Sequence, residues 1–405
     1  MSIIVQKYGG SSVATEEKLR HVAERIVATR RQGHQVVAVV SAMGNTTSEL
    51  LDQARSIGVD KSRRELDMLL SCGERISMSL LSMTLQSMGE EAISLTGPQC
   101  GVRTTDTHFN ARIENVNPER VHAELDAGRI VVAAGYQGAN ATGEVTTLGR
   151  GGSDTTAVAI AAALKAERCE IYSDVDGVYS ADPRVVEAAR PLAEISYEEM
   201  TEMARHGASV LNPRAVEYAW KRDVTIQARC TFNDKPGTVI HQLNEDAEPS
   251  VAGVACHKEL VWLSLRGRKD VAELGEVMMS LIGKADVFLD KTNDDGERRD
   301  VLVPAGDIAD ADSFSEQVHE RYDGRITVST EIGSVSAVGL GVGNDERLLL
   351  QAQKAIEKQG IDVLASFTGE HSLTCLVDRQ HVGDALRLLH RAFVEESIGT
   401  AREVA

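Results

Sequence analysis

The first 240 residues alternate continuous apolar runs with amphipathic stretches, and this alternation limits the possible fold more than any other feature of the chain. The runs at residues 36–40 and 130–134 contain no polar side chain, which is typical of strands buried on both faces. The stretch at residues 16–31 has the spacing of an amphipathic helix. Strands that alternate with helices form βαβ units, whose parallel strands make a sheet covered on both faces. We therefore predict an α/β fold with a mostly parallel sheet sandwiched by helices.

The other predicted elements of this half follow the same order along the chain. They are strands at residues 2–5, 169–173 and 224–229, and helices at residues 65–88, 154–164, 197–206 and 208–222. In sheets of this kind, ligands bind beyond the carboxyl ends of the strands. The glycine- and serine-rich turns that follow the strands are therefore expected to form the functional site.

The pattern changes after residue 240, which predicts a second part with a different architecture. We expect a catalytic domain at residues 1–240 and a linker in the polar, acidic stretch 241–250. The units 251–331 and 332–405 then form a degenerate repeat of two α+β patterns, which suggests paired modules for ligand binding or assembly. A last strand of the second unit is expected from residues 400–404 or from the partner unit.

Composition excludes several classes of function. The formal net charge of -18 argues against nucleic acid or an anionic membrane as the main partner, because such partners attract basic surfaces. No apolar run approaches the ~20 residues that span a bilayer, and no secretory signal is visible, so the expected location is the cytoplasm. The six cysteines lie far apart and form no CxxC pair, so they are expected to be reduced thiols rather than metal ligands.

The segment Lys7-Tyr8-Gly9-Gly10-Ser11-Ser12 follows the first predicted strand and allows two interpretations. Adjacent glycines let backbone N–H groups turn toward an anion, and a lysine adds a point charge, as in a phosphate cradle. The alternative is a plain glycine turn before a helix, with a solvated lysine. A short glycine motif alone does not decide between them.

Residues 146–156, which read TTLGRGGSDTT, are a stronger signal. Three glycines surround Arg150, and hydroxyl groups stand where a predicted helix begins. The N–H groups at a helix N-terminus bind anions readily. Ser153 or Asp154 could be a simple N-cap, but a cap does not account for three glycines around an arginine. We therefore predict an anion-binding turn.

Residues 173–184, which read SDVDGVYSADPR, place closely spaced carboxylates after a buried strand. A calcium loop is disfavoured because the terminal bidentate glutamate of an EF-hand is missing. A nucleotide site fits better, with Tyr179 on the base or ribose and Arg184 on phosphate. A solvated Asp-Gly turn is the alternative.

Two further segments carry polar groups in apolar surroundings. Glu74 lies in the largely apolar helical stretch 71–77, where a carboxylate should pair with a cation. A substrate ammonium group is one candidate, and Arg75 or another basic side chain nearby is the other. Residues 41–47, which read SAMGNTT, offer small hydroxyls at the carboxyl edge of the sheet and are a weak signal alone.

Taken together, these segments resemble, in their order and their amino-acid sequences, those of the aspartate kinases of the amino-acid kinase family. The matching segments are KYGGSSV at 7–13, SAMGNTT at 41–47, GERIS at 73–77, TTLGRGGSDTTAVA at 146–159, YSDVDGVYSADPR at 172–184 and KPGT at 235–238. The resemblance continues, more loosely, through two ACT-like βαββαβ modules. It implies transfer of the ATP γ-phosphoryl group to the β-carboxylate of L-aspartate, the entry step to lysine, threonine and methionine synthesis.

The resemblance also implies roles for individual residues. Lys7 would bridge the transferring phosphoryl group, and Asp154 would orient Lys7. The implied aspartate site comprises Ser41, Thr47, Glu74, Arg150, Gly151, Gly152 and Ser153, with Arg150 on the α-carboxylate and Glu74 on the α-ammonium. The implied nucleotide site comprises Lys7, Gly9, Gly10, Ser11, Ser173, Asp174, Tyr179, Asp182 and Arg184. The implied cofactors are ATP and Mg²⁺; because phosphate oxygens and water hold most of the Mg²⁺, no protein metal ligand is expected.

The sequence departs from the family pattern in two ways. Asn212 stands where members commonly carry histidine, which leaves a local packing or nucleotide-side detail open. Residues 266–270 and 341–347 lack the Pro-Gly or similar pair that usually opens the first helix of each module. We hypothesise that feedback inhibition by lysine or threonine is weakened, lost or redirected, as in an enzyme dedicated to one pathway.

Two other functions were weighed against aspartate phosphorylation. The first is a kinase for a related amino-acid carboxylate. The second is a non-catalytic ACT amino-acid sensor, which should have lost its catalytic residues, whereas Lys7, Glu74, Arg150 and Asp154 are all present. The expected partners are L-aspartate, Mg-ATP, an amino-acid effector at the ACT-like modules, and further copies of the same chain in a homo-oligomer.

Overall fold

The computed structural model describes residues 1–58, 63–149, 151–243, 250–282, 287–293, 295–308 and 311–396, without the side chain of Asp312. Arg150 therefore lies outside the described residues, as do the predicted strand at 400–404 and most of the predicted linker.

The first part of the chain contains the α/β elements. Its strands are β1 (Ile3–Tyr8), β2 (Gln35–Val40), β3 (Ala92–Leu95), β4 (Val102–Thr104), β5 (Ile113–Val116), β6 (Ile130–Ala134), β7 (Gln137–Ala139), β8 (Val145–Thr147), β9 (Arg168–Ser173), β10 (Glu194–Ser196), β11 (Ile226–Cys230) and β12 (Thr238–His241). Its helices are α1 (Glu16–Arg31), α2 (Thr46–Ser56), α3 (Arg63–Leu70), α4 (Cys72–Ser87), α5 (Glu119–Asp126), α6 (Gly152–Leu164), α7 (Tyr197–Arg205) and α8 (Pro213–Arg222).

The main sheet confirms the predicted fold class. Its strands pair in the order β10-β12-β11-β9-β1-β2-β6-β3, and only the β11–β12 pair is antiparallel among the described pairings of this sheet. Helices α1 and α4 pack on one face through residues such as Ile26 and Leu81. Helices α6 and α8 pack on the other face through residues such as Ile160 and Val216. The sheet is therefore sandwiched between two helical layers.

Strand β1 is longer than predicted, and this places Lys7 in the strand rather than in the turn. Lys7 is in register with Val39 of β2 and Ile171 of β9, so the ladder continues on both sides. Successive strand residues face opposite sides of a sheet. Tyr8 accordingly packs in the core beneath α1 and α4, stacked on Tyr172 with ring centroids 4.9 Å apart. Lys7 faces the side that α6 covers.

Two predicted helices have different bounds in the structure. The predicted helix at 65–88 is divided at Ser71 into α3 and α4, and the predicted helix at 208–222 begins only at Pro213. Proline fixes its own φ and has no N–H, so it suits the first helical position. Asn212 caps α8 by accepting a hydrogen bond from the Arg214 N–H. A second sheet of four short strands, ordered β5-β4-β7-β8, was not predicted.

The C-terminal part forms one antiparallel sheet with helices on one face. Its elements are β13 (Gly253–Arg266), α9 (Arg268–Ile282), β14 (Leu289–Thr292), β15 (Arg298–Pro304), α10 (Ala311–Tyr322), β16 (Ile326–Val338), α11 (Glu346–Glu357), β17 (Ala365–Thr368), β18 (Ser372–Asp378) and α12 (Val382–His390). The strand order is β14-β15-β13-β16-β18-β17.

The two long strands β13 and β16 run through both halves of this sheet. Residues 260–266 of β13 pair with β15, whereas residues 253–257 pair only with β16, which also pairs with β18. The predicted boundary between residues 331 and 332 falls inside β16. The two α+β units therefore share their central strands, and the division of the chain into domains stays a prediction.

Candidate functional site

The carboxyl ends of the central strands meet at one edge of the main sheet, and backbone hydrogen bonds join the turns that follow them. The Gly9 N–H donates to the Tyr172 carbonyl at 3.1 Å, linking the turn after β1 to β9. The Ser41 N–H donates to the Tyr8 carbonyl at 3.1 Å, and the Gly135 N–H donates to the Val40 carbonyl at 3.0 Å. Most of the predicted site residues lie along this edge.

A buried ion pair lies at the centre of the edge. Lys7 Nζ is 2.6 Å from Asp154 Oδ1, and each side chain is only 11% exposed. Asp154 belongs to the first turn of α6, which the left-handed backbone of Gly151 introduces with φ 67°. A Cβ atom on Gly9 would lie 3.6 Å from Lys7 Nζ, so the backbone of the glycine turn runs beside the ammonium group. The pair brings together two of the predicted segments.

The turn after β1 packs directly on the turn after β2. The Gly44 N–H donates to the Gly10 carbonyl at 3.0 Å. A Cβ atom on Gly10 would lie 2.8 Å from the Ala42 carbonyl oxygen, closer than real Cβ atoms come. Only glycine allows this approach. Ser11 is exposed, and its carbonyl accepts a hydrogen bond from Lys18 Nζ at 2.8 Å.

Glu74 reaches the same edge from α4. Its Oε1 accepts a hydrogen bond from the Ala42 N–H at 3.0 Å, whereas its buried Oε2 has no hydrogen-bond partner among the described residues. Burial raises the pKa of the Glu74 carboxyl from 4.5 to about 7. A buried carboxylate oxygen without a partner is costly, so this position suits a cationic ligand. Arg75, the alternative partner from the sequence, makes no ion pair with Glu74.

The small polar residues of the predicted aspartate site lie close by. The Ser41 carbonyl accepts a hydrogen bond from Ser77 Oγ at 2.7 Å, one turn after Glu74 on α4. Ser153 is buried at the start of α6, against Gly135 at the end of β6. Thr47 is half-buried in the first turn of α2.

The segment predicted to bind nucleotide divides into two parts. Ser173 ends β9 at the site edge, and Asp174 is exposed just after it. Tyr179 is half-buried, and its hydroxyl lies 3.4 Å from Asp176 Oδ2. Asp182 holds Arg184 in a bidentate pair with two 2.9 Å contacts, and Arg184 is 87% exposed. Their neighbours Ala181 and Val186 pack into the core of the C-terminal part, so this end of the segment lies against that part.

Several polar residues of this region were missed by the sequence analysis. Asp67, fully buried in α3, accepts hydrogen bonds from His108 Nδ1 at 2.7 Å, the Phe109 N–H at 3.0 Å and Thr147 Oγ1 at 2.5 Å. Burial raises the pKa of Tyr136 to about 12, and Glu74 and Asp67 both act in the same direction. Asp67 could have been found by the argument used for Glu74, since it is also a carboxylate in an apolar helical stretch.

A second missed group joins the nucleotide segment to the turn after β11. Asp176 accepts hydrogen bonds from Asn233 Nδ2 at 2.6 Å and from Lys235 Nζ at 2.5 Å. These two bonds, that of Lys235 first, lower the pKa of Asp176. Lys235 begins the KPGT segment, so its position was singled out by the sequence but its partner was not.

The substitution at position 212 has a local explanation. A Cβ atom on Gly151 would lie 2.1 Å from Asn212 Nδ2, so the asparagine side chain occupies the space beside this glycine. Asn212 therefore packs against the turn that leads into α6, next to position 150. The structure assigns this residue a capping and packing position.

Known proteins match this chain over most of its length. The model of the amino acid kinase family matches residues 2–229. The chain belongs to the amino acid kinase family. It is 42% identical over 405 residues to the aspartokinase of Mycobacterium tuberculosis, covering 97% of this chain and 96% of that protein. It is 39% identical over 412 aligned positions to the aspartokinase of Geobacillus stearothermophilus, covering 100% and 99% of the two chains.

Solved structures of this family agree with the fold. Escherichia coli aspartokinase III in complex with aspartate and ADP has a TM-score of 0.81 at 23% identity, covering 96% of this chain and 99% of that chain. Aspartate kinase from Synechocystis has a TM-score of 0.55 at 32% identity, covering 99% and 71%. The predicted architecture of an amino-acid kinase domain followed by an α+β region is thereby confirmed.

Two further observations concern metals and membranes. In the parts of the chain that the structure describes, no group of three or more histidine, cysteine, aspartate or glutamate side chains is placed to hold a metal ion. Among the same residues, no helix has the length and apolar character needed to cross a membrane.

Proposed function

We propose that this chain is an aspartate kinase that transfers the ATP γ-phosphoryl group to the β-carboxylate of L-aspartate, giving 4-phospho-L-aspartate. One observation carries the proposal: a largely buried lysine–aspartate pair and a buried, half-unpaired glutamate lie at the same sheet edge, where Ala42 contacts both Glu74 and the glycine turn that follows Lys7. The aspartokinases of M. tuberculosis and G. stearothermophilus, similar over nearly the whole chain, support the same substrate.

The proposed chemistry needs positioning and charge neutralisation rather than a base. The β-carboxylate of aspartate is ionised at neutral pH and attacks phosphorus itself, so no proton has to be removed. Lys7 Nζ would meet the charge that spreads over the phosphoryl oxygens in the transition state. Asp154, 2.6 Å from Lys7 Nζ, would hold the ammonium group in place. The N–H groups of Gly9, Gly10 and Ser11 would donate to phosphate oxygens beside it.

The substrate's amino group would take the free position on Glu74. An ammonium group at about 2.7–2.9 Å from Oε2 would satisfy the oxygen that has no partner, and would stabilise the ionised form. Gly151, Gly152 and Ser153 at the start of α6, with Ser41 and Thr47 from the neighbouring turns, would line the rest of the acid. Arg150, which is placed next to them by sequence alone, would bind the α-carboxylate bidentately.

The nucleotide would lie beyond β9 and β11. Ser173, Asp174 and Tyr179 line this side, and the Asp176–Lys235 pair extends it. Asp182 and Arg184 were assigned to the nucleotide by resemblance, but their mutual pairing and their position against the C-terminal part support a structural contribution there. Mg²⁺ fits a site without a carboxylate cage, because phosphate oxygens and water supply most of its ligands and it neutralises phosphate charge.

The C-terminal part would carry regulation and assembly. The proposed function places the enzyme at the first step of lysine, threonine and methionine synthesis, with feedback control altered as in a form dedicated to one pathway. The loop at 266–270 and the turn at 341–347 support this, since neither has the Pro-Gly pair of the family. We also propose that this part binds an effector amino acid and that it forms the interface of a homo-oligomer.

Phosphorus NMR of a reaction mixture tests the proposal and the position of Lys7 together. With Mg-ATP and L-aspartate, the full chain should produce an acyl-phosphate signal and ADP in equal amounts. Lys7→Ala should lower the rate at least a hundredfold, because several kcal/mol of transition-state stabilisation is lost. Its thermal unfolding should remain a single transition. Absence of an acyl phosphate with the unmodified chain would refute the function, and a near-normal rate for Lys7→Ala would refute the role.

A further inference from the structure

A hydrogen-bonded row of three side chains connects the two parts of the molecule. Ser180 Oγ lies 2.9 Å from His390 Nε2, and His390 Nδ1 lies 2.8 Å from Glu395 Oε1. Ser180 is 1% exposed and His390 is fully buried. An ionised Glu395 can only accept, so Nδ1 carries a hydrogen; in the neutral ring, Nε2 then accepts from the Ser180 hydroxyl. The row is completely satisfied.

The three hydrogen-bonded side chains come from segments that lie far apart in the sequence. Ser180 belongs to the segment 173–184 that follows β9, whereas His390 ends α12 and Glu395 lies in the π-helical turn Arg391–Glu395. The row therefore joins the C-terminal end of the described chain to the segment proposed to bind nucleotide.

Backbone hydrogen bonds also hold Ser180 in place. Its N–H donates to the Arg190 carbonyl at 2.8 Å, and its carbonyl accepts from the Val254 N–H at 2.7 Å. Its Oγ also accepts from the Arg190 N–H at 2.9 Å. The Ser180 hydroxyl therefore holds the segment against His390 and the Arg190 backbone, and the Ser180 carbonyl holds it against β13.

The row has the residue types of a hydrolytic triad, but burial argues against that chemistry. A nucleophilic serine must be reached by a substrate, and neither Ser180 nor His390 is accessible. The direct neighbour of Ser180 offers a different role. Tyr179 contacts Asp176, and Asp176 binds Asn233 and Lys235 on the proposed nucleotide side.

We propose that His390 is a positioning residue for the nucleotide, which acts through Ser180 on the segment that carries Tyr179 and Asp176. The inference rests on the proposed function, because it assumes that this segment binds ATP. A buried hydrogen bond to a side chain that cannot find water is costly to lose. Without His390, the segment 173–180 would be held less firmly and would bind nucleotide more weakly, while the aspartate side at Glu74 would be unaffected.

Steady-state kinetics of the full chain test this role. His390→Leu and Ser180→Ala should each raise the KM for ATP about two- to tenfold, with the KM for aspartate and kcat changed less than twofold. His390→Gln keeps a donor and an acceptor and should recover most of the ATP affinity. A purely structural role would predict equal losses for both variants at position 390, and that result would overturn the proposal.

Ser372→Ala is the matched control. Ser372 Oγ donates to Glu202 Oε2 at 2.8 Å, so this variant also removes a hydrogen bond between the two parts, one that is partly buried and lies at α7. Its KM for ATP should stay within twofold of the unmodified chain. An equal rise in this variant would mean that loosening the contact anywhere weakens nucleotide binding, and would overturn the assignment to His390.

Calorimetric titration with ADP separates this proposal from the proposed function. If the unmodified chain binds ADP but phosphorylates no aspartate, the function fails, and the Kd for ADP of the same variants still tests His390. Ser180→Ala decides the matter if His390→Leu does not fold. An unchanged Kd in Ser180→Ala would overturn the positioning role, as would a chain that binds no ADP.

Discussion

Lys7 and Glu74 are both charged side chains buried at the same sheet edge, but their surroundings differ. Lys7 has the carboxylate of Asp154 at 2.6 Å, and the two charges offset each other. Glu74 has one backbone N–H for one oxygen and no partner for the other. The charge on the proposed phosphate side is therefore paired within the protein, whereas one oxygen on the proposed amine side has no partner among the described residues.

The pKa of Glu74 leads to a prediction about pH. Burial raises this pKa to about 7, so the carboxyl is protonated below pH 7 and cannot pair with an ammonium group. The KM for aspartate should therefore fall as pH rises from about 6 to 8, by up to about tenfold per unit on the acidic side, and then level off. The KM for ATP, measured in the same series, should not follow this profile.

Glu74→Gln provides the control for this pH dependence. The amide keeps an acceptor for the Ala42 N–H but cannot ionise, so the KM for aspartate should be about tenfold or more higher and independent of pH over this range. A pH-independent KM in the unmodified chain, or an unchanged profile in Glu74→Gln, would contradict the assignment of the ammonium to Glu74.

At the scale of elements, the site depends on how closely the turns after β1 and β2 approach each other. Gly9 and Gly10 are neighbours with very different surroundings. A Cβ atom on Gly10 would meet the Ala42 and Gly44 carbonyl oxygens at 2.8 and 3.1 Å, whereas one on Gly9 would meet its nearest atoms at 3.6 Å. The first glycine borders the site, and the second holds two turns together.

This difference predicts that alanine substitutions at Gly10 and Gly9 change the stability of the protein by different amounts. Gly10→Ala should lower the free energy of unfolding by about 1–3 kcal/mol, because backbone atoms must move to admit the methyl group. Gly9→Ala should change it by less than about 0.5 kcal/mol, since the contacts are ordinary van der Waals distances. Denaturant unfolding of both variants measures the two values. Equal destabilisation of the two variants would contradict the role assigned to Gly10, which is to let the turns after β1 and β2 approach each other closely.

Local patterns predicted long elements well and short ones poorly. Helix α1 has the predicted bounds because its apolar residues keep a helical spacing and Thr15 caps it. The strands of the four-stranded sheet have three or four residues, too few for a period to be visible. The end of β1 was misplaced because Lys7 and Tyr8 read as turn residues, while the ladders to β2 and β9 extend the strand.

The candidate site was predicted better than its supporting residues. Lys7, Glu74 and Asp154 stand in segments whose glycines and buried carboxylates are visible in the sequence. The pairings of Asp67 with His108 and of Asp176 with Lys235 join positions far apart in the chain, and a single sequence does not reveal such partners. The positions of Asp182 and Arg184 depend on contacts with the C-terminal part, which local patterns do not describe.

At the scale of the whole molecule, the C-terminal sheet is a single body built from two interleaved units. Strands β13 and β16 each contribute one end to either unit, so the two units share a pair of continuous strands. The sequence analysis predicted two consecutive units, whereas β13 and β16 belong to both of them. The row from Ser180 to Glu395 then connects this sheet and its helices to the catalytic part.

The two unusual loops of the C-terminal part lead to a prediction about control. Gly267, with φ 97°, leads into α9 without the family's Pro-Gly pair, and Asp345 caps α11 in the second unit. Activity titrated with lysine and threonine, singly and together, should fall less than twofold at submillimolar concentrations. Strong inhibition by either amino acid in that range would contradict altered feedback control.

Aspartate is the acid that this chain is expected to phosphorylate, and an ATP-dependent hydroxamate assay distinguishes it from related acids. Hydroxylamine traps an acyl phosphate as a coloured hydroxamate, so the same readout serves L-aspartate, L-glutamate and close analogues. Aspartate should give the highest kcat/KM, and analogues without the α-amino group should lose about a hundredfold because Glu74 then stays unpaired. Product from glutamate but not aspartate, or from no acid at all, would contradict the account.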